Sequence, residues 1–175
     1  MKRVFFLLAS VSLASPAMTQ GIRNHNSNAP IDFAADRIEV QDRADRAVLS
    51  GNVSVTQGEL SLTAARLTVA YTGAITNGNP DVNRLDAAGG VTVRSAGETA
   101  RGAFATYDLN RRLITMIGDV TLSQGTNVLR GGRLIIDLQS GRSIMDGRAS
   151  GGAPGAVTGT NGRVSGRFSV PQRSN

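Results

Sequence analysis

Few side chains in this sequence could do chemistry, and their types exclude most of it. The 175 residues hold one histidine, His25, and no cysteine. Disulfide frameworks, thiolate zinc sites and cysteine nucleophiles are therefore excluded. A single histidine in a polar N-terminal stretch builds neither a histidine metal cluster nor a Ser-His-Asp triad. Acidic residues gather at Asp32, Asp36, Glu39, Asp42 and Asp45, interleaved with Arg37, Arg43 and Arg46. A pair of carboxylates across a sugar ring would hydrolyse a glycosidic bond. No spacing here singles out such a pair, and the alternation with arginine reads as solvated faces and turns. The sequence has no G-x-S-x-G, no Walker loop, no strand-borne G-x-G-x-x-G and no H-E-x-x-H. The residues name no catalytic group, no metal ligand and no cofactor, and the chain reads as a non-enzyme.

What remains is charge. Basic residues outnumber acidic ones 19 to 13, and all but Lys2 are arginine. Guanidinium stays protonated and grips phosphate bidentately, so an anionic partner such as nucleic acid, a membrane or a lipid head group is open to it. Nucleic acid calls for aromatic platforms among the basic residues. Phe33, Tyr71, Phe104, Tyr107 and Phe168 are too few and too scattered, so nucleic acid is not expected.

The elements that would position these groups begin with an address. Lys2 and Arg3 precede an 11-residue apolar run, Val4 to Ala14, too short to span a bilayer as a helix. Ser15-Pro16-Ala17 supplies small residues for cleavage after Ala17, so residues 1–17 read as a signal peptide. The mature chain is expected to be exported. Residues 18–30 lack periodicity and read as a flexible leader.

The body repeats itself. Leu49–Tyr71 (LSGNVSVTQGELSLTAARLTVAY) aligns with Met116–Leu138 (MIGDVTLSQGTNVLRGGRLIIDL), with seven of 23 positions identical. The same offset relates Phe33–Val40 more weakly to Ala100–Tyr107. Within each unit apolar residues alternate: Val53 and Val55, Leu67 and Val69, Val91 and Val93, Leu134 and Ile136. Period two predicts strands with one buried face. The parity jumps between Leu62 and Leu67, which predicts a bend or bulge. Gln57-Gly58 and Gln124-Gly125 read as turns, and Gly51, Gly89 and Gly118 as turns or bulges. The result is an all-β chain of roughly a dozen short strands, stacked as an antiparallel sandwich or jelly roll. The repeat-bearing domain spans residues 31–147. Residues 148–175 read as a Gly-rich linker and tail, with a possible last strand at 163–170.

A signal peptide, then Ala35-Asp36-Arg37-Ile38-Glu39, Gly51-Asn52-Val53-Ser54-Val55-Thr56-Gln57-Gly58, Leu85-Asp86-Ala87-Ala88-Gly89-Gly90-Val91-Thr92-Val93 and Ile117-Gly118-Asp119-Val120-Thr121-Leu122 occur in that order. This set resembles the LptA/OstA family of periplasmic lipopolysaccharide-transport proteins. The resemblance implies a twisted, open-ended β-jelly roll with an apolar interior groove. It also implies lipopolysaccharide, through its lipid A chains, as passenger, and no catalysis and no cofactor. Its implied partners are LptC-like inner-membrane and LptD-like outer-membrane jelly-roll domains and further copies of the chain joined end to end.

On parity and repeat position, the groove would be lined by Val53, Val55, Leu62, Leu67, Val69, Val91, Val93, Tyr107, Val120, Leu122, Leu129, Leu134 and Ile136. Arg66 and Arg133 at its rim would face lipid A phosphates or form exposed cross-strand salt bridges. Two other functions fit the same strands. One is an exported, self-assembling structural or adhesive repeat protein that binds no lipid. The other is a secreted polysaccharide-acting solenoid enzyme, which needs carboxylates clustered on one exposed face.

Overall fold

The computed structural model describes residues 25–73, 80–95, 97–147 and 162–168. The expected signal peptide lies outside these residues, as does most of the Gly-rich stretch after 147. The described residues form one ten-stranded antiparallel sheet and a single turn of 3₁₀ helix, Asp42–Ala44. The strands are β1 (Asp32–Ala34), β2 (Arg37–Gln41), β3 (Arg46–Gln57), β4 (Leu60–Thr72) and β5 (Asp81–Ser95). They continue as β6 (Glu98–Asp108), β7 (Leu113–Gln124), β8 (Asn127–Asp137), β9 (Arg142–Asp146) and β10 (Ser165–Arg167). Strands β3 to β8 pair in sequence order. The short pieces β1 and β2 share the free edge of β3, and β9 and β10 share the free edge of β8.

The number and length of strands differ from expectation, for a definable reason. Six strands are 11 to 15 residues long. β4, β6 and β8 change parity near their middles (Leu62 to Leu67, Ala100 to Ala105, Leu129 to Leu134), while β3, β5 and β7 keep parity across a glycine-bearing interruption, and the sequence reads either kind of interruption as a strand end. The break is a bulge within one continuous strand. In β3, β5 and β7 the extra residue sits at Gly51-Asn52, Gly89-Gly90 and Gly118-Asp119, all six of which have φ between 45° and 85°. Register slips at the same level in every long pair, from Ser50/Val53 to Ile117/Val120. Only glycine, with asparagine and aspartate behind it, enters that left-handed region cheaply.

The bulges line up strand to strand and crease the sheet across its width. The crease needs small neighbours as well as soft dihedrals. A Cβ on Gly89 would stand 2.7 Å from the Ala65 methyl, and one on Gly118 2.7 Å from the Ala103 methyl.

Folding along the crease turns one face of both arms inward. The first arm ends in the tight turns at Gly58-Glu59 and Gly125-Thr126, and the second in the wider loops at 42–45, 109–112 and 138–141. Their inward side chains merge into one cluster. Leu67, Ile114, Met116, Val120 and Leu134 are fully buried within it. Each such side chain contributes roughly 1.5–3 kcal/mol by leaving water. A repeat of this kind cannot cover its apolar face alone; the neighbouring units complete it.

The weak similarity between residues 33–40 and 100–107 has a structural meaning. β1 and β2 lie along β3 as the two halves of β6 lie along β7. Phe33 faces Val55 as Ala100 faces Leu122, and Ala35-Asp36 stands where Gly102-Ala103 crosses the crease. Asp36 secures this break: its N–H donates to the Gly51 carbonyl (2.9 Å), and Asn52 Nδ2 donates to its Oδ2 (2.9 Å).

Candidate functional site: an apolar interior with two open edges

Eleven of the thirteen residues expected to line the groove are no more than 4% exposed and share the interior cluster. Leu122 and Leu129 face the same way but are half-buried. Leu129 lies beside Gly166 of the short strand β10, and Leu122 lies opposite Leu129 on β7. Leu49, Leu85, Ala87, Ala100, Ala105, Ile114 and Met116 join the same face. Five of these were available as members of period-two runs, Leu85-x-Ala87, Ala105-x-Tyr107 and Ile114-x-Met116. Alanine is a weak marker of a buried face, and the runs are only two positions long.

Arg66 and Arg133 sit elsewhere. Their strand neighbours Leu67 and Leu134 point inward, so both arginines point out, on the opposite face of the sheet from the cluster. Arg133 is held by Asp146, through Nε (2.9 Å) and Nη2 (2.7 Å) on one carboxylate oxygen. Among the described residues Arg66 has no ion pair. The early acidic residues line the surface, as in the contact of Arg37 with Glu39 at 3.5 Å. No group of three His, Asp or Glu that could hold a metal occurs among the described residues.

Little space is left inside. Where the arms meet near β3 to β7, the cavity between Val55, Leu62, Leu85, Val93, Tyr107 and Ile114 measures about 10 Å³. A second apolar hollow of about 160 Å³ opens at the β2 edge among Phe33, Ile38, Leu49, Val69 and Val82. On β2 Ile38 and Val40 are 53% and 51% exposed, because among the described residues no strand lies beyond β2 to cover them.

Across the mouth between the arm tips runs a polar latch that the sequence did not announce. Gln57, in phase with Val53 and Val55 along β3, is 3% exposed. Tyr107 of the second arm donates its hydroxyl to Gln57 Oε1 (2.9 Å). Burial pushes the Tyr107 phenol above the usual range, so it remains a donor. Gln57 Nε2 donates to the backbone carbonyls of Ser27 (2.9 Å) and Ala29 (3.1 Å). Those two carbonyls fix the amide's orientation, so His25 Nε2, 3.0 Å from Oε1, is the donor nitrogen. Arg112, at the second arm's tip, reaches Asn28 Oδ1 at 3.4 Å. Residues 25–31, most of them from the expected leader, thus bridge the two tips. Gln124, the repeat counterpart of Gln57, instead donates to Glu98 (3.0 Å), whose carboxyl burial raises above its usual range.

Three comparisons bear on this architecture. The model of the family described as LptA/(LptD N-terminal domain) LPS transport protein matches residues 32–142. An uncharacterized protein of Rhizobium meliloti strain 1021 is 34% identical over 146 residues, covering 80% of this chain and 78% of the relative. Among solved structures, LptH of Pseudomonas aeruginosa superposes with a TM-score of 0.70 at 22% identity, covering 82% of this chain and 98% of that one. LptH is described as the LptA-homologous periplasmic component of the lipopolysaccharide transport device. The superposition shows that the two chains share a fold. By its family match, the chain belongs to the LptA/LptD N-terminal domain family of LPS transport proteins.

Proposed function

We propose that this chain is a periplasmic bridge component that carries lipid A acyl chains along its interior from the inner to the outer membrane. The family is one of transport proteins, and the chain is not an enzyme. The observation that carries the reading is the folding of one continuous apolar face inward across the six strands β3 to β8, with strand edges unpaired at both ends among the described residues.

An acyl chain drawn into water meets about 0.8 kcal/mol per CH₂, or roughly 10 kcal/mol for a twelve-carbon chain. An apolar track removes most of that barrier. Because the resting interior is packed, the passenger enters as the arms part, replacing side-chain contacts with acyl contacts of the same kind.

The edges suggest how a track becomes long. The first edge offers three residues on one arm (β1) and five on the other (β2); the last offers five (β9) and three (β10). β9 and β10 lie on β8 as β5 lies on β4. A second copy's β1 and β2 would then meet β9 and β10 as β6 meets β5, extending the antiparallel sheet by strand addition. LptC-like and LptD-like jelly-roll domains would join the two ends by the same pairing. Export by the signal peptide places the chain in the periplasm.

Depletion in the native cell tests the proposal. Newly made lipopolysaccharide should accumulate at the inner membrane. Normal arrival at the cell surface in depleted cells would refute it.

A further inference from the structure

We propose that residues 25–31 form a displaceable strap that closes the interior over the first half of the sheet and leaves when a passenger enters. The inference rests on the reading of the interior as a lipid track and adds a gate to it.

The strap fills space that a passenger needs. Ile31 lines the remaining 10 Å³ between the arms, beside Val55, Leu62 and Tyr107. The internal repeat supplies a comparison within the same molecule. Val55 and Leu62, under the strap, are each 4% exposed. Their counterparts Leu122 and Leu129, where no such segment crosses among the described residues, are half-buried, and so is Gln124 where Gln57 is buried. The position equivalent to Ile31 is Glu98, which turns to Gln124 and supports no strap.

The strap is also lightly fastened. Among the described residues its backbone hydrogen bonds, Ser27 N–H to the His25 carbonyl and Ala29 N–H to the Asn26 carbonyl, are internal and join it to no strand. It is held to the body through Gln57, the long Arg112–Asn28 contact and the Ile31 side chain. His25 gives one ring nitrogen to Gln57, and its Nδ1 is buried without a partner. Such an atom loses its water for nothing in return, so lifting the strap regains hydration there. Few bonds break, and all involve groups that water can satisfy once exposed.

A disulfide tests the gate directly. The Ala29 Cβ lies 4.0 Å from the position of a Cβ on Gly58, within the span of about 3.5–4.5 Å that a disulfide bridges. The chain has no native cysteine, so Ala29→Cys with Gly58→Cys gives a strap locked when oxidised and free when reduced. Strain from Cys at the left-handed position 58 is present in both forms. Binding would be read with dansyl-labelled undecanoic acid and with purified lipopolysaccharide.

The reduced form should bind like wild type and the oxidised form at least tenfold more weakly, with wild type indifferent to reductant. Gln57→Ala, which unfastens the strap, should bind at least as tightly as wild type. Equal binding by oxidised and reduced forms would overturn the gate and leave the interior track standing. Absence of binding by every form, wild type included, would overturn the track and the gate with it.

Discussion

Replacing Gly118 with alanine should damage the fold far more than the same change seven residues on. Gly118 has φ +85° and its missing Cβ points at the Ala103 methyl, 2.7 Å away on the adjacent strand. An alanine in left-handed backbone costs roughly 1–2 kcal/mol. The crowding adds about 1–3 kcal/mol, because the opposing methyl is fixed to a strand and cannot swing aside. Gly118→Ala should therefore cost about 2–5 kcal/mol in total. Gly125 has φ +56° and open space where its Cβ would be. Gly125→Ala should cost only about 1–2 kcal/mol. Urea unfolding would measure both, with an unchanged m-value showing that the midpoint shift reports stability. Ala103→Gly removes the opposing methyl and should rescue part of the loss, with a coupling energy of about 1 kcal/mol or more. Equal costs at 118 and 125, or no rescue, would refute the argument that close approach at the crease selects glycine.

Three further outcomes follow from named contacts. Gln57→Ala leaves the Tyr107 hydroxyl and two strap carbonyls without their partner, at about 2–3 kcal/mol, whereas Gln124→Ala loses one half-exposed bond at about 0.5–1 kcal/mol; thermal melts of the two variants would check the order. Burial raises the Glu98 carboxyl in the fold, so its contribution to stability is fully present below the ordinary carboxylate range and is lost as pH rises through the raised value. Glu98→Gln should accordingly gain stability over wild type between pH 4 and pH 7, and a gap that narrows with rising pH would refute the assignment. Ile38→Asp with Val40→Asp charges the exposed β2 edge and should shift the chain to smaller species in size exclusion with light scattering; an unchanged mass distribution would show that this edge is not a joint.

The sequence disclosed the sheet better than its shape. Alternation in Val53-x-Val55 and Leu134-x-Ile136 marks strand faces because side chains in a strand point to opposite sides in turn. The repeat of Gln57-Gly58 at Gln124-Gly125 marks equivalent tight turns. The parity jump after Leu62 was visible too, but a bulge and a strand end leave the same trace in one strand. Only the lining up of Gly51, Gly89 and Gly118 across the sheet distinguishes them, and that alignment is a property of register. Arg66 and Arg133 show a similar limit. Spacing gives their place in the repeat, but the side they face depends on which parity survives the crease. The latch at Gln57 joins residues 25 to 29 with 57 and 107, and no local pattern encodes contacts at such separations. Gln57 could be read as inward-facing, but not what it would meet there.

The most direct test of the account is photocrosslinking to lipopolysaccharide from neighbouring positions that face opposite sides of the sheet. A photoreactive residue at Val93, Leu129 or Ile136 should crosslink to lipopolysaccharide in the folded chain, while the same residue at Thr92, Arg130 or Ile135 should not. Crosslinks from the outward positions alone, or from none of the inward ones, would contradict an interior that carries lipid.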